Sequence, residues 1–164
     1  MIRYTTGNLL DAPTEALVNA VNEMGVMGKG IALMFKAAFP ESARAYEHAA
    51  RSGEVRVGKV LVTEQRTLVG PRWVIHFPTK QHWRDPSKLE WVRDGLADLA
   101  RVIAELGITS IAVPPLGAGN GKLPWPDVRA EIERALGALD GVDVLVFEPT
   151  TEYINRPKPT GWRR

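Results

Sequence analysis

The sequence predicts an α/β domain whose mostly parallel or mixed sheet is covered on both faces. Short runs rich in β-branched and aromatic residues recur along the chain, and stretches with helical periodicity alternate with them. Two glycine-rich segments each leave a strand-like run and enter a helix-like one. Strands separated by helices pair in parallel, and the ligand site of such a sheet lies off the carboxyl ends of its strands.

Taken in order, Glu15 to Val21 (EALVNAV) reads as the first strand. Gly30 to Pro40 and Glu41 to Gly53 read as consecutive helices broken at Pro40, because proline lacks an N–H and its ring clashes with the preceding turn. Lys59 to Glu64 and Arg72 to Phe77 are the next two strands. Ser87 and Glu90 form a capping-box pattern that opens a third helix. Leu89, Leu96, Leu99, Ile103 and Leu106 give it one apolar face, and Gly107 stops it. Ser110 to Pro115 is a strand, Pro126 opens a helix running to about Leu139, and Val142 to Glu148 is the last strand.

Composition narrows the class. The chain has 164 residues, 45% of them hydrophobic, which suits one core rather than two. It contains no cysteine, which excludes disulfides, thiolate zinc sites and a Cys nucleophile. His48 and His76 sit singly in a helix and a strand and read as structural, so neither metal nor cofactor is expected. The first 22 residues lack the basic start and apolar run of a secretion signal, and no run approaches a membrane span, so a soluble, cytoplasmic protein without membrane contact is expected. Net charge is +2 with a pI near 9.0, which leaves room for an anionic partner. Residues 156–164, RPKPTGWRR, are basic and rich in Pro and Gly; they read as a linker or tail after a domain spanning 1–155, with a further domain expected to follow.

The glycine-rich segments carry the chemistry. In NAVNEMGVMGKGIALMF and PPLGAGNGKLPW, exposed N–H groups feed helix N-termini, which makes a place for two adjacent phosphates. The familiar nucleotide motifs do not fit. Gly117 and Gly121 have three residues between them where a P-loop needs four, and Leu123 follows Lys122 where it needs Ser or Thr. Gly117, Gly119 and Gly121 give G-x-G-x-G, not the dinucleotide fingerprint.

GNLL (Gly7 to Leu10), LVNAVN (Leu17 to Asn22), MGKGIALMFKAAFP (Met27 to Pro40) and PPLGAGNGKL (Pro114 to Leu123) resemble the macrodomain family in order and spacing, over about residues 1–150. With FPTK (Phe77 to Lys80), they are most similar to the branch holding the terminal ADP-ribose glycohydrolases and the DarG-type antitoxins. The resemblance implies a three-layer αβα fold and an ADP-ribose pocket. Gly28, Lys29, Gly30, Ile31 and Ala32, with Gly117, Ala118, Gly119, Asn120 and Gly121, would surround the diphosphate. Asn22 would lie near the distal ribose and Asn8 with Leu9 beside the adenine, with Ala20, Val21, Thr79 and Leu116 also contacting ADP-ribose. Asn22 has two readings, a ribose contact or a buried turn cap. At Asn8 many macrodomains carry Asp, which accepts from the adenine amino group; Asn in its place weakens adenine selectivity without abolishing it. Phe147 or Tyr153 would stack on the base, although Phe147 reads equally as core.

The resemblance makes Lys80 the catalytic residue, just past the strand RWVIHFPT; read without it, Lys80 is a solvated surface charge. Breaking a ribosyl bond builds positive charge at the anomeric carbon, so the amine acts either neutral, as a nucleophile, or as proton donor to the leaving group. The terminal ADP-ribose glycohydrolases keep an Asp where this chain has Gly121, and no acid stands nearer than Asp127. Any second, acidic group must come from elsewhere. After Lys80, the segment KQHWRDPSK brings His82, Trp83 and Arg84, an aromatic among basic groups suited to single-stranded nucleic acid. Its plain reading is Trp83 packed on a helix and Arg84 paired with Asp85.

The implied function is removal of ADP-ribose from thymidine in single-stranded DNA, as the antitoxin to a DNA ADP-ribosyltransferase toxin. A non-catalytic ADP-ribose reader and a hydrolase of protein-linked ADP-ribose are the alternatives.

Overall fold

The computed structural model describes residues 1–150. Six strands form one sheet: β1 (Ile2–Thr5), β2 (Ala16–Asn22), β3 (Leu61–Glu64), β4 (Trp73–Lys80), β5 (Ser110–Val113) and β6 (Asp143–Phe147). Four helices flank it: α1 (Gly30–Ala38), α2 (Pro40–Arg51), α3 (Leu89–Leu106) and α4 (Trp125–Leu136). The strand order is β1-β6-β5-β2-β4-β3, and every pairing is parallel except β3 with β4. This is the expected mixed, mostly parallel sheet.

Period-two alternation divides the strands between two cores. Ala16, Val18, Ile75, Phe77, Ile111, Val113, Val144 and Val146 pack with Leu96, Leu99 and Ile103 of α3 and with Val128 and Ile132 of α4. Leu17, Val21, Val74 and Ala112 face the other way, onto Phe35 of α1 and Ala43, Tyr46 and Ala49 of α2. Both faces are thereby covered, and three layers result.

Several elements differ from expectation. Strand β1 was not predicted; IRYT is short, carries an Arg and lies half-exposed at the sheet edge, so it has no strong alternation. Helix α3 does not begin with a capping box. Lys88 holds the N-cap position, because the Ser87 N–H is committed to the Gly121 carbonyl at 2.9 Å and Ser87 is drawn into the glycine loop. Gly107 ends α3 at φ 64°, as its freedom from a Cβ allows. Helix α4 starts with Pro126 in its first turn but ends at Leu136, with Gly137 capping it, short of Leu139. The fourth strand runs on to Lys80 where the sequence pattern stopped at Phe77. The expected tail, 156–164, lies outside the described residues.

Candidate active site

Strands β5, β2 and β4 are neighbours in the centre of the sheet, and their carboxyl ends open on one cleft of about 670 Å³. Its wall is made by Ala20, Val21 and Asn22 from β2, Thr79 and Lys80 from β4, the segment Gly28 to Ala32, and Gly117, Gly119, Asn120 and Gly121. Val26, Trp83, Pro114 and Pro115 complete it. The two glycine-rich segments, almost ninety residues apart in sequence, therefore face one space.

Each segment has a physical reason for its glycines. Gly30 adopts φ 62° at the start of α1, and a Cβ there would stand 3.1 Å from the Asn120 amide nitrogen of the other loop. Gly117 adopts φ 75°. A Cβ on Gly121 would collide with Ser87 Oγ and the Gly117 carbonyl oxygen. The second loop is laced by its own backbone, with Ala118 N–H donating to the Pro115 carbonyl at 2.8 Å and Leu123 N–H to that of Gly117 at 2.9 Å. Between these ties Lys122 is held at φ 65°, the sole non-glycine at positive φ among the described residues. For an L residue that conformation costs roughly 1 kcal/mol.

Asn22 is both a wall residue and a turn cap. Its side-chain oxygen accepts from the Met24 and Val26 N–H groups at 3.0 and 3.3 Å, and its amide donates to the Val26 carbonyl at 2.9 Å. The turn-cap reading is thus realised, and one amide N–H of Asn22 makes no hydrogen bond among the described residues.

Lys80 is the last residue of β4 rather than a loop residue. Strand β2 pairs in register up to Val21 opposite Pro78, then shifts so that Asn22 lies opposite Lys80. This irregularity accommodates a proline inside a central strand and re-aims the strand end. Lys80 is 9% exposed, and its ammonium donates to the Trp83 carbonyl at 3.2 Å. Burial first, then the charges of Lys29 and Lys122, lower its pKa from the ordinary lysine value, with Asp85 opposing them. A desolvated amine among cations is disposed to give up its proton.

Beyond Lys80 the chain forms an exposed aromatic platform. Trp83 is 42% exposed, His82 lies against it at 5.3 Å between ring centroids, and the Arg84 guanidinium sits 5.3 Å from the Trp83 ring centre. Trp83 is not packed away against a helix, and Arg84 stacks on it; among the described ion pairs none joins Arg84 to Asp85. Of the residues singled out from sequence, Asn8, Leu9, Leu116, Ala118, His82 and Arg84 do not line the cleft. The exposed Asn8 caps the turn Leu9–Asp11 by accepting from Leu10 N–H at 3.1 Å, while Leu9, Leu116 and Phe147 belong to the core. Tyr153 lies outside the described residues. Sequence reasoning missed Val26, Pro114 and Pro115 in the wall and Lys122 beside it. Lys122 was in view as the residue that spoils a P-loop, but its positive φ has no sequence signature.

Comparison with known proteins places this architecture. The family model described as "Macro domain" matches residues 18–132, which takes in both glycine-rich segments and Lys80. The chain belongs to the macro domain family. The macrodomain is 56% identical over 149 residues to the DNA ADP-ribosyl glycohydrolase of Thermus aquaticus, covering 91% of this chain and 41% of that protein. It superposes on the structure titled macrodomain of Mycobacterium tuberculosis DarG with a TM-score of 0.90 and 55% identity, over 92% of this chain and 99% of that one. A Thermosipho africanus DarTG structure, in complex with ADP-ribose, matches with a TM-score of 0.85 and 29% identity, over 90% of this chain and 41% of that one. The chain spans about two-fifths of the length of the curated relatives it matches. Among the described residues no helix is long and apolar enough to cross a membrane.

Proposed function

We propose that this macrodomain is a DNA ADP-ribosyl glycohydrolase, removing ADP-ribose from thymidine in single-stranded DNA as the antitoxin to a cytoplasmic DNA ADP-ribosyltransferase. The observation that carries the reading is Lys80. It is buried in the wall of a cleft with two glycine-rich loops, its pKa is lowered, and an exposed Trp83 stands beside it. The backbone N–H groups of the two loops hold the diphosphate, and the remaining Asn22 amide hydrogen meets the distal ribose. The neutral Lys80 amine attacks the anomeric carbon while the bond to the thymine nitrogen breaks. The bonding electron pair leaves with the base, which takes up a proton. Water then attacks the same carbon and returns the amine, releasing ADP-ribose. Metal and cofactor have no part in these steps.

Relatives support the substrate class. The Thermus aquaticus and Mycobacterium tuberculosis proteins bear the name DNA ADP-ribosyl glycohydrolase, and a Thermosipho africanus protein is named as a fusion of that activity with a DNA ADP-ribosyl transferase. The deciding experiment offers the protein ADP-ribosylated single-stranded DNA and ADP-ribosylated protein. Release of ADP-ribose from the DNA is expected. Release from protein alone would move the assignment to protein-linked ADP-ribose, and tight ADP-ribose binding with neither release would make the domain a reader.

A further inference from the structure

Resting on the reading above, we propose that Lys122 contacts the phosphodiester backbone of the substrate strand and so favours ADP-ribosylated polymer over ADP-ribosylated nucleoside. The first support is its backbone. Lys122 is pinned at φ 65° between Gly121, whose carbonyl accepts from Ser87 N–H, and Leu123, whose N–H donates to Gly117. Glycine would take that conformation without strain, so the backbone alone would favour glycine over lysine there.

The second support is position. Lys122 is exposed and is not among the residues lining the cleft, yet its charge reaches the Lys80 ammonium inside. A cation outside the wall but close to the reacting amine addresses whatever extends from the anomeric carbon, rather than the ADP-ribose held within. The third is connectivity. The Ser87–Gly121 hydrogen bond of 2.9 Å stitches the Lys122 loop to the segment that carries Trp83 and Arg84. Cation and aromatic platform thus share one rim beside Lys80, which is the combination that grips a single strand by phosphate and base together.

The other anion within reach is the diphosphate of ADP-ribose, and the experiment separates the two. Lys122→Gly fits the existing backbone, so its melting temperature should equal or exceed that of the wild type. Both proteins are given an oligonucleotide carrying one ADP-ribosylated thymidine, the same modified thymidine as a nucleoside, and free ADP-ribose. For Lys122→Gly, kcat/KM on the oligonucleotide at low salt should fall about fivefold or more relative to kcat/KM on the nucleoside; an equal fall on both would place the effect in the Lys80 amine and overturn the proposal. The variant's logarithmic salt slope should shrink by about 0.7, the value for one phosphate of a single strand. Affinity for free ADP-ribose should stay within about twofold. An unchanged salt slope overturns the proposal, and so does an equal loss of ADP-ribose affinity, which would assign Lys122 to the diphosphate. If the wild type releases ADP-ribose from neither nucleic substrate, the glycohydrolase reading itself falls. Wild-type turnover with an unaltered slope in the variant removes only the role of Lys122.

Discussion

The hydroxyl of Tyr46 donates to the main-chain carbonyl of Asn22 at 2.6 Å, tying the middle of α2 to the last residue of β2. The same hydroxyl stands 3.2 Å from the Asn22 side-chain oxygen. Burial pushes the Tyr46 pKa up to about 12, so the donor keeps its proton at any working pH. The turn that Asn22 caps, and with it Val26 in the cleft wall, is therefore fastened from below the sheet.

Tyr46→Phe removes that fastening and leaves a buried carbonyl short of a partner. A loss of about 1–3 kcal/mol in urea unfolding is expected. Calorimetry should show ADP-ribose binding weakened several-fold, because the turn that shapes the cleft is loosened. Unchanged stability would mean that the hydroxyl holds nothing, and full affinity despite lost stability would separate the turn from the site.

How much of this was legible in the sequence depends on the range of the interaction. Glycine-rich loops after strands and a stop at Gly107 are local patterns, and they were read correctly. Ser87 was misread because a local capping signal lost to a hydrogen bond with Gly121, thirty-four residues away in sequence. Tyr46 left no trace, since an aromatic on a helix looks like core until the carbonyl above it is known. Lys80 looked like any surface lysine by its neighbours in sequence. Resemblance singled it out, and burial with the charges of Lys29 and Lys122 supplies the physical cause that the linear pattern lacked.

His76 provides a pH test of the core beneath the site. Thr63 Oγ1 donates to the Val74 carbonyl at 3.0 Å, so it accepts from Ser42 Oγ at 2.5 Å; Ser42 in turn accepts from His76 Nε2 at 2.8 Å. That chain leaves Nδ1 unprotonated beside the Asn19 amide nitrogen at 3.2 Å, and burial lowers the His76 pKa to about 4. The unfolded chain binds a proton near pH 6.5 while the folded one refuses it until about 4. The contribution is whole above about 6.5 and is lost as pH falls toward 4, amounting to roughly 3 kcal/mol across that window. Unfolding followed from pH 8 to 4 should show this extra slope in the wild type and a flatter one in His76→Gln. Parallel slopes would place the acid sensitivity in the carboxylates.

Lys80 gives the sharpest test of the chemistry. In the proposed mechanism ground-state binding rests on backbone N–H groups and Asn22, whereas the amine engages the anomeric carbon only as its bond breaks, and interactions confined to the transition state appear in rate rather than affinity. Lys80→Ala should therefore keep ADP-ribose affinity within a few-fold while release from modified DNA falls by about 10² or more. Lys80→Arg should fail as well, since a guanidinium stays protonated and has no lone pair to offer. The pH profile discriminates between the two roles of the amine. A nucleophile must be neutral, so the wild-type rate should rise with pH and level off at a lower pH than an ordinary lysine would require, because burial, Lys29 and Lys122 lower the pKa. Lys122→Gly removes one of those charges and should move the rising limb to higher pH. A rate that falls with rising pH over the same range would instead make the ammonium the proton donor, and near-normal rates in Lys80→Arg would reduce its role to electrostatic positioning. Intact activity in Lys80→Ala would end the catalytic assignment of this strand terminus.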